Sequence, residues 1–202
     1  MYGFDEQTGA SSGGSRIPAG ITENVNLKDV LYEPLKADGS GDDVLKFMFS
    51  DALGSSFTHI EFPIEAPRLT ELAKGWGKST ADAESYVKQQ FDAQGERIKH
   101  ILSCFIPKDK CIFRAANFKE FSDGVIKMLG NTYLEVPCRV KIVYKKNSQY
   151  TTFPSRAFKP FIQPMNEPNR IKIDPKWDII EATEPDSSGD ARSDGEKATA
   201  ST

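Results

Sequence analysis

The chain has 202 residues, 38% of them apolar, and a formal charge of −3. That length allows one folded domain with appended arms, and the mild acidity excludes a uniformly basic coat, so any contact with a polyanion has to be local. No apolar run reaches membrane-spanning length, no leader pattern opens the chain, and Cys104, Cys111 and Cys138 lack the number and spacing of a disulfide framework, so a soluble cytoplasmic protein with reduced thiols and no membrane partner is expected.

Residues 1–16 are Gly/Ser-rich and read as a disordered arm. The folded domain, 17–180, opens at Pro18 and Gly20. A first strand is predicted over 23–32, with Val25, Leu27, Asp29 and Leu31 on one face and Asn26, Lys28, Val30 and Tyr32 on the other. Residues 37–41 are a turn. A second strand, 44–50, puts Leu45, Phe47 and Phe49 on one face and Val44, Lys46 and Met48 on the other. After a tight turn at 51–54, a third strand runs over 57–62. Three strands with short turns form an antiparallel meander.

A helical insert follows at about 66–130. Pro63 and Pro67 interrupt the chain. Ser79 with Asp82 is a capping box ahead of a helix whose apolar residues, from Val87 to Phe105, share one face and which Pro107 ends. Asn117 with Glu120 starts another helix, with Gly130 placed as its C-terminal cap. Strand character resumes at Leu134. Val136, Cys138, Val140, Ile142 and Tyr144 form a core face; Arg139, Lys141, Val143 and Lys145 form a largely cationic outer face. After a turn at 147–149, a fifth strand starts over 150–153 and continues irregularly to Ile162. Ile171, Ile173 and Trp177 suggest a last packed segment. Residues 181–202 form an acidic tail, expected to be disordered. The expected class is mainly β with a helical insert (α+β): a five-stranded OB-like barrel with its helices between strands three and four.

The residues from Val136 to Asn166 carry the chemistry. They hold six basic side chains, five aromatic ones and no acid, in a chain that is acidic as a whole. Cations interleaved with rings suit a single-stranded nucleic acid, which offers phosphates and flat bases. Arg139, Lys141, Lys145 and Lys146 are the phosphate candidates. Tyr144, Tyr150, Phe153 and Phe158 are the stacking candidates, supported by Arg156 and Lys159. Tyr144 is the weakest, because alternation places it with the core. Lys46, Phe57 and His59, on strands two and three, are second-rank candidates. The plainer reading makes Tyr144 and Phe153 core and the lysines a solubilised strand edge. Three features outweigh it: the cations share one strand face, no acid interrupts them, and the next strand adds Arg156 and Lys159 beside aromatics.

Other motifs carry less. Gly75-Trp76-Gly77-Lys78-Ser79-Thr80 resembles the end of a phosphate-binding loop, but Leu72 stands where the first glycine belongs. His100, Cys104, Cys111 and Cys138 lack the close pairs of a zinc site. His59 and His100 have no hydrolase motif around them, and Asp42-Asp43 reads as turn carboxylates. No catalysis, metal or cofactor is expected. The acidic tail either screens the basic groove, the stronger reading, or docks replication or recombination proteins.

Three stretches also carry a family resemblance: Ile17-Pro18-Ala19-Gly20-Ile21-Thr22-Glu23-Asn24-Val25, Val30-Leu31-Tyr32-Glu33 and the run from Leu45 to Gly54, with Asp51-Ala52-Leu53-Gly54 at its end. They resemble the opening of phage-encoded single-stranded DNA-binding proteins of the OB type. The resemblance covers mainly 17–62 and, more loosely, 134–162. It implies non-specific binding of single-stranded DNA in replication or recombination, cooperative coating with oligomerisation, no catalysis, and work in the host cytoplasm. The long insert and the lack of an acidic-hydrophobic tail tip depart from the bacterial version. The rival expectation is a non-enzymatic structural or assembly protein of virion type, docking proteins through barrel and insert.

Overall fold

The computed structural model describes residues 15–36, 39, 41–146, 148, 150–154 and 159–182. Its sheet grows from one long strand, β1 (Gly20–Pro34), which serves two neighbours. The first part of β1 pairs with β4 (Pro137–Tyr144), with Ile21 opposite Lys141. The second part pairs with β2 (Asp43–Ser50), with Val30 opposite Phe47. Register shifts between Thr22 and Val25 and between Leu27 and Asp29 bend the strand between these partners. Asn24 adopts φ 56 at the first shift, a left-handed position that Asn tolerates. The second shift explains the broken alternation: Val25 and Leu27 are buried, and then Val30 instead of Asp29.

β3 (Ser56–Glu61) completes the meander, with Phe57 opposite Phe49. The irregular fifth strand resolves into two pieces along one edge of β4. β5 (Thr151–Thr152) pairs with its end, and β6 (Ile162–Pro164) with its start. The result is a mixed α+β protein with a six-stranded antiparallel sheet in the order β3-β2-β1-β4-β5, β6 also lying on β4. The sheet is unclosed. Among the described residues β3 and β5 meet through side chains alone: Thr152 Oγ1 lies 3.3 Å from His59 Nδ1, and the Phe153 ring 5.1 Å from that of Phe57.

The insert holds α1 (Ala66–Gly75), α2 (Thr80–Leu102), a 3-10 turn at Lys108–Lys110 and α3 (Phe118–Leu129). α1 is not foreseen by the sequence reading, which takes Pro67 as an interruption. Pro67 occupies the first turn of the helix, where a missing N–H costs nothing. Both capping signatures form. Ser79 Oγ accepts from the Asp82 amide at 3.2 Å, and Asn117 Oδ1 from the Glu120 amide at 2.9 Å. Gly130 ends α3 with φ 47. Asn117→Ala should lower stability by about 1 kcal/mol; urea denaturation reads this, and an unchanged midpoint would remove the cap from the account.

The core lies between the sheet and the insert. Ile98, Ile101 and Leu102 of α2 and Val125 and Leu129 of α3 pack on Phe47, Phe49, Phe57, Phe153 and Phe161. Two residues of the expected 1–16 arm, Ser15 and Arg16, are among the described residues. Both are placed beside β3, where the Ser56 amide donates to the Ser15 carbonyl at 2.8 Å. Residues 1–14 and 183–202 lie outside the described residues. No described helix is long and apolar enough to cross a membrane.

Candidate nucleic-acid interface

The cationic face of β4 is internal, which corrects the expected placement of Arg139 and Lys141. Both are buried, Lys141 to 1% exposure. The cause is the chain after β6, which folds back over this face. Gln163 starts the return: its Oε1 accepts from the Arg170 amide at 3.0 Å and its Nε2 donates to the Pro168 carbonyl at 2.6 Å. Ile171 then packs inward, and the Tyr144 amide donates to the Ile179 carbonyl at 2.7 Å. Under this strap the Lys141 ammonium donates to Asp178 at 2.7 Å and to the Lys172 carbonyl at 3.0 Å. Arg139 Nε donates to Glu23 at 2.7 Å. The protein's own carboxylates hold the positions that phosphates were expected to take.

The second-rank candidates are also occupied. Phe57, His59 and Phe153 are buried in the aromatic core, so their rings are not offered to bases. Lys46 clamps the β1–β2 connection, donating to Glu33 and to the Pro34 carbonyl, each at 2.9 Å. Arg156 and Phe158 lie outside the described residues. Lys159 is exposed and pairs with Asp174, whose carboxyl is held below its usual value by that hydrogen bond.

His59 belongs to a buried polar cluster that ties the insert to β3. Glu61 accepts from Arg97 through both carboxylate oxygens, from His59 Nε2 at 2.8 Å and from Gln94 Nε2 at 3.2 Å. A carboxylate can only accept, so His59 Nε2 donates to Glu61, while Nδ1 lies 3.3 Å from the Thr152 hydroxyl. Burial alone would push the Glu61 carboxyl up; the bonds from Arg97 and His59 overcome this and hold it at about 2.

Of the expected site residues, Lys145, Lys146 and Tyr150 are exposed, on the β4–β5 hairpin. The Lys145 amide donates to the Tyr150 carbonyl at 2.9 Å and closes the loop. Lys145, Lys146 and Tyr150 project from it, Tyr150 at 70% exposure. The hairpin is a ridge between two clefts that share Lys145 and Thr152. The first, about 660 Å³, has walls from β3 and the α1–α2 hairpin, including Phe62, Arg68 and Arg97. The Lys145 ammonium sits 5.9 Å from the centre of the Phe62 ring. The second, about 540 Å³, lies between the hairpin and the strap and includes Tyr144, Lys146, Lys159, Lys176 and Trp177. Lys176 rests 4.9 Å over the Trp177 ring. Asp174 and Asp178 in this cleft are paired to Lys159 and Lys141, which leaves Lys145, Lys146 and Lys176 without a carboxylate partner among the described residues.

The chain matches no family model, no curated protein and no solved structure. Three exposed rings, Phe62, Trp177 and Tyr150, stand on or beside the hairpin; the second cleft is net cationic, whereas the first balances Lys145, Arg68 and Arg97 against Asp42, Glu61 and Glu65. Phe62, Arg68, Lys176 and Trp177 are absent from the sequence candidates. The adjacent Lys176-Trp177 pair is the available signal, but apolar spacing with Ile171 and Ile173 points Trp177 to packing. Among the described residues no group of His, Cys, Asp and Glu could hold a metal. Cys104 lies against Cys138, whose thiol, together with burial, pushes that of Cys104 up.

Proposed function

We propose that this protein binds single-stranded DNA without sequence specificity, on the ridge and clefts of the β4–β5 hairpin. The observation that carries the reading is the joint exposure of Lys145, Lys146 and Tyr150 on one hairpin, with Phe62 on one flank and Trp177 on the other. Lysines supply salt-dependent phosphate attraction, and rings supply base stacking that tolerates any sequence.

The strand connections support an OB-like barrel as the finer description. A meander, a helical insert, a fourth strand on the first and a fifth facing the third is that fold's order. Its ligands cross the face of strands two and three between the loops joining strands one to two and four to five. Here the first cleft takes Asp42 from the one-two loop and Lys145 from the four-five loop. With the resemblance of residues 17–62, this favours a phage-type protein of DNA replication or recombination, acting in the host cytoplasm.

Titration of labelled oligo-dT at two salt concentrations tests the reading. Affinity should fall as salt rises. Tyr150→Ala should weaken binding by about 1–3 kcal/mol at both concentrations, because stacking is not screened. Binding that is absent, or indifferent to salt, overturns the proposal. Competition with single-stranded RNA and duplex DNA then sets the substrate preference.

A further inference from the structure

We infer that the first residues of this chain, Met1-Tyr2-Gly3-Phe4-Asp5-Glu6, dock back onto their own domain in an apolar groove between α2 and α3. The groove consists of two contiguous cavities of about 520 and 380 Å³ that share Phe91, Gly95 and Phe121. Its rim exposes Phe91 at 48% and Ile112 at 76%, so a large apolar surface faces water. Gly95 lies in the middle of the 23-residue α2, where glycine weakens a helix. A Cβ at Gly95 would meet no heavy atom within 4 Å, so nothing inside the domain requires glycine there. The bare backbone leaves room for something that approaches from outside.

The sequence identifies the occupant. Residues 183–202 contain no aromatic residue and no Leu, Ile, Val or Met, so they cannot fill an apolar groove. Residues 1–14 contain Met1, Tyr2 and Phe4 within their first four positions, then two acids and a Gly/Ser-rich connection. Two aromatic side chains separated by glycine are a compact apolar anchor. Asp92, Glu96 and Lys99 also line the groove, and Lys99 is the one suited to meet Asp5 and Glu6.

The tether favours the same molecule over a second copy. Ser15 is held at the start of β3 by Ser56. At the end of β3, Glu61 accepts from Gln94, which lines the groove. The five-residue advance along β3 covers about 17 Å. The eleven residues from Phe4 to Ser15 can span up to about 36–40 Å. A connection of this length gives an effective concentration on the order of millimolar, well above that of separate chains at micromolar concentration.

The test uses the full chain. A photoreactive benzophenone amino acid in place of Phe4, irradiated at low micromolar concentration, should cross-link within the monomer to peptides containing Phe91, Ile112 or Phe121. Independently, Tyr2→Ala with Phe4→Ala should raise the alkylation rate of Cys111, which lines the groove, by about fivefold, the factor 1 + Ceff/Kd for a submillimolar contact on a millimolar tether. Oligo-dT affinity should stay unchanged, which separates this inference from the proposed function. Cross-links elsewhere, an unchanged Cys111 rate, or cross-linked dimers that grow with protein concentration would each overturn it, the last in favour of a second copy.

Discussion

Arg97→Met should destabilise the fold by about 3–5 kcal/mol, the usual cost of removing one partner from a buried ion pair. Glu61 has 3% side-chain exposure and would keep only His59 and Gln94 as partners. Glu61→Gln should cost less, because Arg97 retains 17% side-chain exposure and can turn to water. The pH dependence adds a second signature. In the native protein the Glu61 carboxyl sits at about 2, below its ordinary 4.5. A depressed carboxyl stabilises the fold above the ordinary value and loses that contribution as pH falls from about 4.5 through 2, an effect of about 3 kcal/mol. In Arg97→Met burial pushes the carboxyl upward, so this acid limb should flatten. Urea midpoints measured from pH 7 to 2.5 read both effects. A variant within about 0.5 kcal/mol of the parent at pH 7, the range of ordinary surface substitutions, would mean that the cluster does not anchor the insert.

What the sequence revealed was mostly local. Ser79 with Asp82 and Asn117 with Glu120 are readable because a cap is made by residues three apart. The core face of β2 is readable because Leu45, Phe47 and Phe49 alternate without a bulge. β1 is not, because its register shifts are set by two different partner strands. α1 is hidden because Pro67 either breaks a helix or starts one, and only the packing of α1 on α2 decides. The largest misplacement, the outer face of β4, has the same origin. The acid that neutralises Lys141 lies 37 residues later, in a segment without periodicity. Charge on one face of a strand marks an exposed face only if no later segment covers it. Lys145, Lys146 and Tyr150 escape that ambiguity because they sit on the hairpin loop.

The same distinction gives the second large prediction. Lys145→Glu with Lys146→Glu removes two phosphate contacts. Each contact to a single strand adds about 0.7 to the salt slope of binding, so the slope should become shallower by about 1.4. Extrapolated from 1 M reference salt, this corresponds at 0.1 M to affinity about 25-fold weaker, before the added repulsion of the new carboxylates. The loss should be the same for all oligonucleotide sequences, since phosphates carry no base identity. Lys141→Met should behave in the opposite way. It leaves Asp178, with 5% side-chain exposure, buried without its partner, so it should lower stability while leaving the salt slope of the folded fraction unchanged. The two substitutions therefore separate a hairpin ridge from a β4 face as the seat of binding. A parental slope in the Lys145/Lys146 variant, or a slope shallower by one contact in Lys141→Met, would move the interface back to the strand face, with the strap displaced when DNA binds.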